Sequence, residues 1–277
     1  LALNTQYTIE DLKVLMTRLR EPTTGCPWDI QQTFQTIVPS TLEEAYEVAE
    51  AIEREDYAHL REELGDLLFQ VIFYGQLGSE QQGFSFDDVV SDLTAKLLRR
   101  HPHVFPNGTL ESRVEPGGSR DTAAIKQQWE VTKQVERNAK GQGKILADVP
   151  INLPALSRAQ KLQKRASGVG FDWDNLNDVV AKAEEELAEL KEAIASQERD
   201  AIKEELGDML FSVVNIARHC KTDAESLLRA GNRKFERRFG YIESRLGEKG
   251  ESVANTGLAE LDELWLEAKV QEKPLAP

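Results

Sequence analysis

Positive charge is in short supply: 34 Lys and Arg face 48 Asp and Glu across 277 residues, a formal net charge of −14. Affinity for polyanions rests on phosphate neutralisation by Lys and Arg, so this balance argues against a nucleic-acid polymer as partner. A small phosphorylated ligand stays compatible, because a metal ion can bridge it to acidic side chains. Cysteine is equally scarce. Cys26 and Cys220 stand far apart, with no CxxC and no basis for a disulfide framework, which reads as a protein of the reducing cytoplasm. No uninterrupted apolar run approaches the ~18 residues of a membrane span, so no membrane partner is expected. The first residues show no basic-then-apolar signal pattern, and the chain opens on Leu1 rather than Met, so it reads as trimmed or partial. Period-two alternation bounded by turn signals is missing, which leaves strands unsupported. No GxxxxGK[ST] loop, Ser/His/Asp set or partnered nucleophilic cysteine is visible, which disfavours a P-loop NTPase or a covalent route. What is present, 40% hydrophobic and 30% charged residues, describes a folded globular chain of one or two domains.

The chain is a duplication. Placing Glu43–Val71 over Glu185–Val213, a constant shift of 142, makes 14 of 29 positions identical without a gap. The identities include the acids Glu43/Glu185, Glu44/Glu186, Glu47/Glu189, Glu63/Glu205 and Asp66/Asp208. Upstream, Trp28-Asp29 matches Trp173-Asp174. Downstream, Lys96, Arg99 and Arg100 match Lys234, Arg237 and Arg238, and Trp129 with Lys133 matches Trp265 with Lys269. So long a period belongs to a duplicated module rather than a solenoid. The stretch from Ala139 to Lys144, followed by Val149–Pro154, reads as linker and turn, which divides the chain into modules 1–144 and 145–277.

Helical periodicity runs through nearly every long segment. Thr8 caps a helix over Thr8–Arg20. Leu42–Glu53, His59–Gly75 and Phe86–Arg100 follow, and the second copy repeats the order. The fold class expected is all-α, a tandem pair of helical-bundle modules. The third helix is apolar on two faces. Leu64, Leu67, Leu68 and Val71 form one, while Phe69 and Phe73 lie opposite, beside Asp66. Such a helix needs two partners, within a bundle or at a subunit interface.

The acids carry the chemistry. Glu44 and Glu47 are i,i+3 neighbours, and Glu63 and Asp66 repeat that spacing on the next helix. Like charges so placed destabilise a helix by a few tenths of a kcal/mol per pair. Two such helices side by side concentrate negative charge that a hard divalent cation relieves. Mg²⁺ suits carboxylate oxygens and shares its shell with substrate phosphates. One EExxE alone is usually a solvated face; two copies with matched spacing favour a metal site. A di-iron assignment would need Glu-x-x-His pairs, and none of the four histidines supplies one. Lys234, Arg237 and Arg238 are suited to phosphate oxygens, and Trp265 with Lys269 to a stacked base and a further phosphate. Each also has an ordinary structural reading, in helix-dipole complementation and in core packing.

The arrangement EExxE, spacer, ExxD resembles the all-α nucleoside triphosphate pyrophosphohydrolases, a superfamily that includes MazG, dimeric dUTPases and phosphoribosyl-ATP pyrophosphatase. The duplication, Gly25–Asp29, Arg99–Phe105 and Val169–Trp173 look like the two-domain MazG proteins. The resemblance implies Mg²⁺-dependent hydrolysis of an NTP or dNTP between the α- and β-phosphates, with Mn²⁺ as an alternative ion. It implies Glu186, Glu189, Glu205 and Asp208 as metal ligands, with a second such set at Glu44, Glu47, Glu63 and Asp66. Glu185 or Glu189 is implied as the group that orients or deprotonates water, and Asn232, Lys234, Arg238, Trp265 and Lys269 as substrate-binding. A homodimer or higher oligomer is implied, with the C-terminal module catalytic and the N-terminal one structural or weakly active. The residues offer their own reason for that asymmetry: where copy one has Gln70, Phe73 and Thr94, copy two has the more polar Ser212, Asn215 and Asn232. A narrow-specificity relative, or a nucleotide sensor without turnover, stays open as an alternative.

Overall fold

The computed structural model describes residues 6–114 and 144–272, with residues 121, 122, 124, 125, 128, 129, 131, 132 and 136 between them. Lys133 and most of the expected linker, residues 139–143, lie outside the described residues; residues 144–154 form turns. The chain divides into two compact units, Leu1–Val135 and Glu136–Pro277. Among the described residues there is no strand, and no helix is long and apolar enough to cross a membrane.

The first unit contains α1 (Ile9–Leu19), α2 (Pro27–Gln31), α3 (Phe34–Glu53), α4 (Tyr57–Glu80) and α5 (Phe86–Arg100). The starts of α1, α3, α4 and α5 are written in side chains. Thr8 with Asp11, Thr33 with Thr36 and Ser85 with Asp88 form reciprocal capping pairs, and Asp56 accepts from the His59 backbone N–H at the start of α4. The fourth helix keeps its expected bounds, Phe86–Arg100. Two others run longer. α3 begins at Phe34 rather than Leu42: Thr33 caps it, and Pro39 lies inside the helix, where it removes one backbone hydrogen bond without ending the helix. α4 continues past Gly75 to Glu80. That glycine does not end the helix; it lets α5 approach, since a Cβ there would stand 2.8 Å from the Phe86 Cβ.

The core of this unit gathers Met16, Ile37, Ile72, Phe73 and Leu77, with Leu12, Phe34, Phe69 and Phe86 packed against it. Arg20 ties α1 to the end of α4: its Nε and Nη2 donate to Glu80 at 2.8 and 2.7 Å, and its guanidinium lies 5.2 Å from the Phe73 ring centre. Of the two apolar faces of α4, the one carrying Phe73 is covered, while Leu64, Leu68 and Val71 stay exposed. Asp66, beside the covered face, is exposed.

The second unit contains α6 (Ala155–Ser167), α7 (Leu176–Ser196), α8 (Arg199–His219), α9 (Ala224–Glu248), a 3-10 turn (Val253–Asn255) and α10 (Leu258–Gln271). α7 and α8 form a helical hairpin, as α3 and α4 do, and α6 packs on α8 as α1 packs on α4. The duplication extends to the backbone. The hairpin turns at Glu55 and Gln197, equivalent residues under the shift of 142, adopt φ +58° and +60°; the residues that follow α4 and α8, Gln82 and Lys221, adopt +55° and +59°. Leu206, Leu210 and Val213 on α8 repeat the exposure of Leu64, Leu68 and Val71. Two small cores hold the unit, one around Val214, Ala217 and Ala224, the other around Ile242, Leu246 and Leu264.

Candidate active site

Along α7, the residues facing inward are Val179, Ala183, Glu186, Leu190 and Ala193. Glu186 thus stands in the middle of an apolar stripe, where a carboxylate is expensive unless something compensates its charge. Asn175 starts this helix by accepting from the Asp178 backbone N–H. Opposite it, α8 carries Glu205 and Asp208. One carboxylate oxygen from each of Glu186, Glu205 and Asp208 lies within 4.8 Å of the others. Burial, followed by the nearby charges of Glu189, Glu186, Asp208 and Glu204, holds the Glu205 carboxyl above the usual carboxylate range. Lys182, one turn before Glu186, donates to Glu186 at 2.8 Å and to Glu185 at 2.9 Å, and its ammonium is correspondingly raised in pKa.

The first unit repeats the cluster with Glu44, Glu63 and Asp66, again within 4.8 Å. Burial, then the charges of Asp66 and Glu47, raises the pKa of Glu44. Burial also raises that of Glu63, against the opposing influence of His59, whose Nε2 is 3.0 Å from Glu63. In donor set both clusters fit a hard divalent cation: all-oxygen, mutually repelling and partly desolvated. Glu47 and Glu189 lie close enough to raise the pKa of neighbouring acids, whereas Glu185 is an exposed side chain tethered to Lys182.

The expected basic and aromatic residues assemble elsewhere in the second unit, where α9 meets α10. Arg238 donates through Nε and Nη2 to Glu272 at 2.9 and 2.6 Å, and its guanidinium lies 5.5 Å from the Trp265 ring centre. Trp265 packs on Phe235 at 5.4 Å and on the core around Leu246. Asn232, Lys234 and Lys269 are exposed. No hydrogen bond or ion pair joins these five residues to the carboxylates among the described residues.

A cavity of about 260 Å³ opens in the second unit; Glu186, Glu205 and Asp208 do not line it, but Lys182, which donates to Glu186, is part of its wall. Ser212 and Asn215 line it, one and two turns beyond Asp208 on α8. Their counterparts in the first unit are Gln70 and Phe73, and Phe73 is fully buried at 0% exposure. Sequence reasoning missed two members of this site. Lys182 was readable from its i,i+3 and i,i+4 spacing to Glu185 and Glu186. Gln163 was not, because it comes from α6, a helix without acidic motif residues.

Comparison with known proteins agrees with this geometry. The model of the MazG nucleotide pyrophosphohydrolase domain matches twice, over residues 32–105 and 175–240, the stretches that carry the two hairpins and their acids. The chain belongs to the MazG family. It is 46% identical to the nucleoside triphosphate pyrophosphohydrolase of Escherichia coli K12 over 268 residues, 95% of this chain and 98% of that protein. It is 42% identical to the nucleoside triphosphate pyrophosphohydrolase/pyrophosphatase MazG of Thermotoga maritima, over 94% of this chain and 95% of that one. It also matches 53% of the uncharacterized protein YabN of Bacillus subtilis, at 41% identity.

Proposed function

We propose that this protein hydrolyses nucleoside triphosphates between the α- and β-phosphates, giving a nucleoside monophosphate and pyrophosphate, with Mg²⁺ (or Mn²⁺ in its place) as the ion. The observation that carries this reading is the convergence of Glu186, Glu205 and Asp208 within 4.8 Å, in a chain whose relatives over most of its length bear that enzyme name. Glu186, Glu205 and Asp208 would hold the ion, with Glu189 beside them. A bound divalent cation supplies charge neutralisation of the triphosphate and a lowered pKa for water. Glu185 or Glu189 is the carboxylate that would orient water or take a proton from it. Lys182 is placed to transfer its contact from Glu186 to a phosphate oxygen; Lys234 and Arg238 make no bond to these acids among the described residues of one copy of the chain, so a part for them in stabilising the departing pyrophosphate would need the second copy of the proposed dimer or a release of Arg238 from Glu272.

The second module, 145–277, is assigned as the working one, because Asn215 lines a cavity there whereas its counterpart in the first module, Phe73, is buried in the core. A homodimer is part of the proposal. Leu64, Leu68 and Val71, and again Leu206, Leu210 and Val213, form exposed apolar stripes of the kind that mark subunit contacts. The free thiols of Cys26 and Cys220 suit a reducing cytoplasm. The deciding experiment is a panel of the eight common NTPs and dNTPs, with phosphoribosyl-ATP, assayed with Mg²⁺ by phosphate release after added inorganic pyrophosphatase. Turnover of several bases supports broad hydrolysis, turnover of one substrate supports a narrow relative, and binding without turnover overturns the enzymatic reading.

A further inference from the structure

We propose that Glu272 is a built-in competitor for polyphosphate: its carboxylate fills the guanidinium site made by Arg237 and Arg238, and a phosphate chain reaches that site only by displacing it. This rests on the reading in which Arg238 meets phosphate, and adds to it the chain's own occupant of that position.

The contact has the form of an anion in a receptor. Arg238 donates through Nε and Nη2 to one carboxylate oxygen, Oε2, at 2.9 and 2.6 Å, and Arg237 donates through Nη2 to the other, Oε1, at 3.2 Å. Both oxygens of Glu272 are thus held by guanidinium groups from adjacent residues of α9, groups that match phosphate oxygens equally well. Arg238 is largely buried, its side chain 17% exposed, with the Trp265 ring centre 5.5 Å from its guanidinium. Lys234 and Lys269 stand exposed about one turn before Arg238 and Glu272. The Arg238 hydrogen bonds outweigh burial and hold the Glu272 carboxyl below the usual carboxylate range, so the competitor is ionised at neutral pH.

A strut tying the two helices together is the ordinary alternative, and the fold has little need of one here. α9 and α10 already meet in the core of Ile242, Leu246 and Leu264, with Trp265 packed on it. Arg238 lies one turn outside Ile242. Glu272 lies one turn past the buried Ala268 and beyond Gln271, the last residue of α10. The carboxylate therefore leaves by side-chain rotation, with no helix displaced. The duplication carries the same set twice: Trp265, Lys269 and Glu272 repeat the spacing of Trp129, Lys133 and Glu136, and Arg237-Arg238 repeats Arg99-Arg100. The consequence is a threshold. A single phosphate or carboxylate, with little affinity to spare, is shut out, whereas a polyphosphate that also reaches Lys234 and Lys269 can still displace Glu272.

Calorimetric binding of inorganic tripolyphosphate to the full chain in EDTA, where neither metal nor turnover enters, tests this. A competitor in place about nine-tenths of the time lowers apparent affinity about ten-fold, so Glu272→Gln should tighten tripolyphosphate by about that factor. Glu267→Gln removes an equal charge from α10, from an acid that meets Tyr241 instead of an arginine, and should tighten it by about two-fold at most. Adding Arg238→Met to Glu272→Gln should abolish the gain. A lower melting temperature in Glu272→Gln with unchanged affinity identifies a strut and overturns the proposal. An equal gain in Glu267→Gln, or no binding in either the native protein or Glu272→Gln, overturns it too, and none of these results touches NTP hydrolysis. A ten-fold gain confined to Glu272→Gln, in a chain that hydrolyses no NTP, would uphold the competitor and overturn the hydrolytic reading.

Discussion

Lys182 Nζ sits 2.8 Å from Glu186 Oε1, on the same helix and one turn away, so the most buried acid of the cluster is met by a cation from its own sequence neighbourhood. The ammonium offsets one of the three converging carboxylates and leaves the others repelling. Lys182→Met should therefore lower the melting temperature measured in EDTA by about 1–3 °C. Saturating Mg²⁺ should recover more of that loss in the variant than the same ion adds to the native protein. Differential scanning fluorimetry with and without Mg²⁺ checks both.

Glu205→Gln removes a carboxylate from the working cluster while keeping its shape. Turnover with Mg²⁺ should fall at least about 100-fold, more than is typical for loss of a mere supporting contact at a metal site. Glu63→Gln, the equivalent change in the first unit, should leave most activity in place. Activity lost in Glu63→Gln and retained in Glu205→Gln would reverse the assignment of the working module.

Stability should depend on pH through the same acids. Glu205 titrates near 4.5 when unperturbed and higher in the folded protein, for burial and the adjacent carboxylates disfavour its charge. Between those two values the folded state holds more protons than the unfolded one, so its stability contribution falls as pH rises through that window and the penalty is complete above it. Mg²⁺ offsets the penalty where the acids are ionised. The rise in melting temperature that Mg²⁺ gives should thus be larger at about pH 7.5 than at about pH 5, and Glu205→Gln should flatten that difference.

Phe73 is fully enclosed by Met16, Ile37, Ile72 and Leu77, with Arg20 over its ring. Phe73→Ala should destabilise the first unit by about 3–5 kcal/mol, the usual result of emptying a core aromatic site. Urea unfolding should show this as an earlier transition, while catalysis assigned to the second unit persists below it.

Leu210 is 59% exposed although apolar, and its equivalent Leu68 is also exposed. If a second copy covers these stripes, Leu210→Glu with Leu68→Glu should convert the oligomer to monomer in sedimentation or light-scattering measurements. A native protein already monomeric at micromolar concentration would remove this part of the proposal.

Much of this was legible residue by residue. Thr8 announced the start of its helix as an N-cap, the Phe86–Arg100 segment kept the bounds its periodicity set, and the shift of 142 located both acid clusters. Other features were not. Gly75 resembles a stop signal and is instead a contact surface for Phe86. Which apolar face of α4 is covered could not be read from a helical wheel, since the Leu68 and Phe73 faces are alike in apolar content. Gln163 became visible only once α6 lay against α8.

The amino-acid sequence by itself determined the helical class, the duplication and the matched acids, because capping, periodicity and charge spacing act over a few residues and a repeat states its pattern twice. Only the tertiary structure decided that Glu186 turns inward toward Glu205 and Asp208, that Phe73 lies in the core of one unit while its counterpart Asn215 lines a cavity in the other, and that Gln163 of α6 joins that cavity's wall. Those outcomes depend on the rotation of one helix against another, which is set by packing summed over the whole contact and is absent from any local stretch of chain.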